Sequence, residues 1–128
     1  MRKSKQLGIW MDHSIAHLMD FNLDAITQTV IQAEYTHLEK TEDMTRSEQS
    51  MHTKEKQHLT AFFNKIGNIV LNYNSVILFG PTSAKAELYN HLKDDRRFSN
   101  IKIILKDADK MTENQQSAYV REYFTKQL

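Results

Sequence analysis

Three aspartates occupy positions from which carboxylates can hold divalent metal. Asp12 follows the apolar run Leu7 to Met11, and Asp107 and Asp109 follow the run Ile101 to Leu105. If they converged, two magnesium ions about 4 Å apart could be clamped at the attacking and leaving oxygens of a phosphodiester. Such a site needs several convergent acids. The apolar run between them, Val76 to Phe79, ends in Gly80-Pro81 without a carboxylate. Turn and cap roles for the three aspartates are therefore favoured, and a metal-dependent nuclease is kept as an alternative.

A second candidate is the turn Gly80-Pro81-Thr82-Ser83-Ala84-Lys85. Where a strand runs into a helix, free backbone N–H groups and the helix dipole favour an anion, so Gly80, Thr82, Ser83 and Lys85 define a candidate anion-binding turn. The P-loop pattern is absent, and Thr82 or Ser83 as helix cap is the simpler reading. Seven cations lie between positions 85 and 110 (Lys85, Lys93, Arg96, Arg97, Lys102, Lys106 and Lys110), against five acids (Glu87, Asp94, Asp95, Asp107 and Asp109). Most of these belong to a solvated face; Lys85, Arg96 and Arg97 are the candidates for contact with RNA phosphate. His13 and His17, and His37, His52 and His58, form no metal-binding template and read as exposed polar residues. There is no Gly-x-Ser-x-Gly element, and with no cysteine there is no thiolate nucleophile, disulfide or Cys-ligated zinc. No catalytic residue and no cofactor is expected.

The elements that would position these residues follow from apolar periodicity. The stretch Val76, Ile77, Leu78, Phe79, then a helix, then Ile101, Ile103, Ile104 and Leu105, is the pattern of a β-α-β unit in a sheet covered on both faces. Leu7 to Met11 reads as a strand, Asp12-His13-Ser14 as a tight turn and Ile15 to Phe21 as a returning strand. In that strand Ile15, His17, Met19 and Phe21 share one face, and Ala16, Leu18 and Asp20 the other. Ala25 to Tyr35, rich in Thr, Ile and Val, suits an edge strand. Leu59, Phe62, Phe63, Ile66, Ile69 and Val70 form one helical stripe, and Ala84, Leu88 and Leu92 a shorter one. Thr112 and Gln115 have capping-box spacing before a last helix with Ala118, Tyr119, Tyr123 and Phe124 inward.

Between the third strand and the first helix, Thr36 to Gln57 carries nine charged residues and no glycine or proline. Its apolar residues do not recur at a core-forming spacing, so it reads as an exposed excursion, helical in its later part. The predicted order is β-β-β-α-β-α-β-α, an α/β class with one mixed five-stranded sheet in three layers, which is the element order of the ribonuclease H-like architecture. Length and composition agree: 128 residues with 40% hydrophobic content make one domain over 1–128. A formal charge of +1 advertises neither nucleic acid nor an acidic membrane globally. No apolar run has membrane-spanning length and no signal-peptide core is visible, so no membrane partner and a cytoplasmic location are expected.

Leu7-Gly8-Ile9-Trp10-Met11-Asp12 with its hairpin, the helix from His58, Val76-Ile77-Leu78-Phe79-Gly80-Pro81 with Lys85, Glu87 and Leu88, and Ile101 to Leu105 resemble the central domain of eukaryotic and archaeal class I peptide-release factors and of Pelota-type ribosome-rescue factors. The resemblance runs from about Leu7 to Phe124 and is closer to the small stand-alone bacterial proteins of that type. Those factors carry a hydrolytic Gly-Gly-Gln motif in the stretch matching Thr36 to Gln57. This chain has only Gly8, Gly67 and Gly80, so that chemistry does not carry over. Pelota-type factors also lack the motif yet engage ribosomes. The resemblance therefore implies a non-catalytic module that contacts ribosome, RNA or a translation factor, with Arg46, Lys54 and Lys56 of the excursion reaching phosphate. The neighbouring codon-reading and partner-binding domains of those factors have no counterpart in these residues. A homodimer paired through the Ala25 to Tyr35 edge is the remaining alternative.

Overall fold

The computed structural model describes residues 5–22, 25–33 and 48–126, with side chains described from residue 57 onward in the last segment. Five strands, β1 (Gln6–Met11), β2 (Ile15–Phe21), β3 (Ile26–Gln32), β4 (Ser75–Gly80) and β5 (Lys102–Asp107), form one sheet in the order β3-β2-β1-β4-β5. Only β2 runs against the others: it is antiparallel to β1 and β3, while β1 pairs parallel with β4 and β4 with β5. The helices are α1 (Glu48–Val70), α2 (Ala84–Lys93) and α3 (Glu113–Lys126), with a 3₁₀ turn at Arg96–Phe98. Helix α1 begins inside the stretch read from sequence as an excursion, and strand β3 is shorter at both ends than Ala25 to Tyr35.

The sheet separates two cores, as strand alternation requires. Leu7, Ile9, Met11, Ala16, Leu18, Val76 and Leu78 face Phe62, Phe63, Ile66 and Val70 of α1 and Ala84, Leu88 and Leu92 of α2. On the other face Trp10, Met19, Phe21, Ile77 and Phe79 pack with Val120 and Phe124 of α3. Strands β1 and β4 are central and covered on both sides, which explains why their sequences are continuously apolar rather than alternating. Helix α3 lies close to the sheet because Gly8 has no side chain: a Cβ there would stand 2.2 Å from Val120 Cγ2.

The buried stripe of α3 differs from the predicted one. Gln116, Val120 and Phe124 are buried, Tyr119 and Tyr123 are partly covered, and Ala118 is exposed. The shift places Val120 over Gly8 and stacks Tyr119 on Phe79, ring centroids 4.4 Å apart. The capping box that starts this helix is formed in both directions: Gln115 N donates to Thr112 Oγ1 (3.2 Å), and Thr112 N donates to Gln115 Oε1 (2.9 Å). His17 is a second correction. It lies buried beside Trp10 in an edge-on arrangement, not at the exposed surface expected of it. Its Nδ1, Trp10 Nε1 and Gln116 Oε1 are buried without a hydrogen-bond partner among the described residues.

Candidate functional site

The C-terminal ends of β1, β4 and β5 lie side by side, so the topology gathers the turn after Asp12, the turn after Gly80 and the segment after Asp107 at one end of the sheet. In parallel sheets this is where ligands are usually met. Gly80 makes the gathering possible. Its φ is +147°, and a Cβ would stand 2.3 Å from the Met11 carbonyl oxygen, so only glycine lets β4 turn this tightly against the end of β1.

Lys85 is the organising side chain of this end. It projects from the first turn of α2 but is buried, and its Nζ donates to the carbonyls of Thr82 (2.9 Å) and Gly80 (3.1 Å). The third partner is Asp107 Oδ1 at 3.3 Å, an exposed carboxylate that adds little. Two of the three donors of the ammonium are bonded to carbonyls of its own turn. Lys85 therefore fixes the strand-to-helix turn from within the chain.

The rest of the anion-binding turn is also occupied from within. Thr82 Oγ1 accepts from Ala84 N (3.1 Å), and Ser83, the N-cap residue, donates its hydroxyl to Glu87 Oε2 (2.8 Å) rather than bonding the helix backbone. The same Glu87 oxygen lies 2.7 Å from His13 Nε2. Bonding to His13 holds the Glu87 carboxyl below its ordinary range; burial opposes this, and the Ser83 hydroxyl adds to the lowering. A carboxylate of the chain itself thus stands at the start of α2, where an anion is electrostatically favoured. Ser83 and His13 share one oxygen of Glu87, so no serine is activated by a histidine here.

The aspartates stay apart. Asp12 Oδ1 accepts from Ser14 N (2.8 Å), Ser14 Oγ (2.9 Å) and Ile15 N (3.0 Å), closing the β1–β2 turn. Burial raises its pKa, but these bonds, with the nearby His13, outweigh it and leave the net shift downward. Asp107 pairs with Lys85, and Asp109 is exposed. Among the described residues no group of three or more His, Cys, Asp or Glu side chains could hold a metal ion.

The proposed RNA-contact residues are dispersed. Arg46 lies outside the described residues, and Lys54 and Lys56 belong to the first turns of α1, where side chains are not described. Arg96 is exposed at the far end of α2. Arg97, beside it, grips Asp95 through Nη2 (2.8 Å) and Nε (3.1 Å), with its guanidinium 5.7 Å from the Phe98 ring. A cleft beside this pair, between α1 and α2, was not foreseen. Its sequence signal was the pair Asn64 and Asn68, one helical turn apart and outside the apolar stripe of α1.

No protein-family model and no curated protein matches this sequence. Solved structures do match in fold. Pelota from Archaeoglobus fulgidus superposes with a TM-score of 0.61 at 11% identity over 95% of this chain. Pelota from Thermoplasma acidophilum gives 0.58 at 18% identity over 95%, and an archaeal translation termination factor gives 0.59 at 16% over 91%. The chain spans about a third of each of those structures, at 32%, 32% and 33% of their lengths. The resemblance read from the sequence is thus present in the fold. Among the described residues no helix is long and apolar enough to cross a membrane.

Proposed function

We propose that this chain is a non-catalytic, translation-associated binding module, one unit of the ribonuclease H-like architecture acting in the cytoplasm on ribosome, RNA or a translation factor. The observation that carries this reading is the fold likeness to two Pelota proteins and a translation termination factor over 91–95% of the chain. The absence of glycine between Thr36 and Gln57 supports binding without the hydrolytic chemistry of release factors. Contact falls to Arg46, Lys54, Lys56, Arg96 and Arg97. Lys85, bonded to two carbonyls of its own turn, is a support of the fold in this reading.

Co-sedimentation with ribosomes on a gradient at low salt tests the proposal. The parent chain is expected in the ribosomal fractions, released as salt rises, and the triple substitution R46E/K54E/K56E is expected to lose association without a change in melting temperature. A parent chain that never leaves the top of the gradient overturns the proposal. A second reading, pairing of two copies through β3, is favoured by the composition of the edges: Ile26–Gln32 has no charged residue and exposes Val30, whereas the opposite edge β5 carries Lys102 and Lys106. Light scattering that gives a dimer mass, abolished by Val30→Lys, would establish it.

A further inference from the structure

Three polar atoms on the α3 face of the sheet have no hydrogen-bond partner among the described residues: Trp10 Nε1, His17 Nδ1 and Gln116 Oε1. Their side chains are all more than nine-tenths buried, with relative exposures of 7%, 9% and 2%. Polar groups inside a protein are as a rule paired, with other protein groups or with ordered water, because a bare one forfeits the bonds it had in solvent. The position of these three decides which partner they take.

Trp10 and His17 stand opposite each other in the β1–β2 ladder, and their rings meet edge-on with centroids 5.7 Å apart. Helix α3 runs along the same two strands in matching steps. Phe124 lies against Phe21, ring centroids 5.4 Å apart, and Phe21 pairs with Gln6. One turn back, Val120 covers Gly8, which pairs with Met19, and one turn further back comes Gln116. Four helical residues advance about 6.0 Å and two strand residues about 6.7 Å, so the level after Gly8 and Met19 is that of Trp10 and His17. Gln116 therefore stands over that pair. Its neighbours agree: Ser117 Oγ is 3.9 Å from Met19 Sδ, and Tyr119 stacks on Phe79, which pairs with Trp10.

We propose that one internal water molecule binds at this level and joins β1, β2 and α3 through Trp10, His17 and Gln116. The indole N–H can only donate, so the water accepts from it. Gln116 is oriented as well, since its Nε2 donates to the Met111 carbonyl (3.1 Å), an atom that could not accept from the amide oxygen. Oε1 is thus the acceptor for one hydrogen of the water. The second hydrogen needs an acceptor too, and His17 Nδ1 supplies it only when the imidazole proton sits on Nε2, the ring nitrogen that is not among the buried unpaired atoms. With the proton on Nδ1, the water would keep one hydrogen bare inside the core. Three partners are the usual number for a buried water, and the assignment fixes a tautomer along with a ligand.

Trp10 is the single tryptophan of the chain, so its indole N–H gives one unambiguous NMR signal for the test. In the full chain that signal is expected to show a cross-peak to the water resonance. Its signs in paired NOE and ROE spectra should be those of a water tumbling with the protein, which differ from those of proton exchange. Long-range proton–nitrogen spectra in mildly alkaline solution, where the ring is read in its neutral form, should show His17 protonated at Nε2 and bare at Nδ1. Gln116→Met keeps the length of the side chain and removes the acceptor, so the indole-to-water cross-peak should be lost. A parent cross-peak that is absent or due to exchange alone, a proton on His17 Nδ1, or a cross-peak that survives Gln116→Met would each overturn the assignment. Should the variant not fold, the two measurements on the parent chain decide by themselves.

Discussion

At the C-terminal ends of β1, β4 and β5, His13, Ser83, Glu87, Lys85 and Asp12 are bonded to one another or to backbone of the same chain. At the opposite end, His91 pairs with Asn64 and Arg97 with Asp95 around a shallow cleft, and of these side chains only Asp95 is as much as half-buried. Both ends have the features that draw attention in a sequence, with cations, carboxylates, a histidine and a helix terminus. What separates them is burial: Lys85 at the first end is buried, whereas the second end is made of exposed side chains and the half-buried Asp95. A dipole and a lysine at a helix start attract an anion, but a neighbouring glutamate can fill that role, after which the site is part of the fold.

The comparison predicts that substitutions at the first end cost more stability than those among the exposed side chains of the second. The largest effect is expected for Gly80→Ala. At φ +147° the added methyl is strained, and it would stand against the Met11 carbonyl oxygen, an atom of backbone that cannot swing aside. A loss of about 3 kcal/mol in urea denaturation is expected. An unchanged midpoint would mean that the turn is loose and that the first end is not the fixed one.

Lys85→Met comes next, since it keeps the length of the side chain and removes the charged donor shared by Gly80 O and Thr82 O. About 2 kcal/mol of stability should be lost. If stability held, the carbonyls of Gly80 and Thr82 would not depend on Lys85, and the contrast between the two ends would fail. Thr112→Ala, which removes one half of the capping box at the start of α3, is expected to cost about 1 kcal/mol in the same denaturation experiment.

Much of this division was legible in the sequence, though unevenly. The central strands announced themselves because burial on both faces demands unbroken apolar runs, as in Val76 to Phe79. The capping box was readable because its two bonds join residues three apart. The inward face of α3 was misjudged at Ala118, since what selects that face is the space above Gly8, more than a hundred residues earlier, and no local pattern encodes it. The same limit applied to chemistry. Lys85 looked like a phosphate ligand because its spacing from Gly80 was visible and its bonds to the carbonyls of Gly80 and Thr82 were not. His13 and Glu87, 74 positions apart, and the cleft that brings Asn64 to His91, 27 apart, exist only once the chain is folded.

The smallest effect concerns pH at the first end, and its sign follows from Glu87. Bonding to His13 and Ser83 lowers the folded-state pKa of this carboxyl below its ordinary value of 4.5. A group lowered on folding contributes stability that is complete above its unfolded pKa and is lost as pH falls through the folded value. The window therefore lies below about pH 4.5. Both side chains of the pair are more than two-fifths exposed, so solvent screens it and the contribution should stay within a few tenths of a kcal/mol. Denaturation midpoints measured for the parent and for Glu87→Gln should differ slightly near neutral pH and converge as the solution is acidified, because the parent alone has this bond to lose. A gap that widened on acidification would show that the protonated carboxyl is the better-bonded form, and the sign of the Glu87 shift would be reversed.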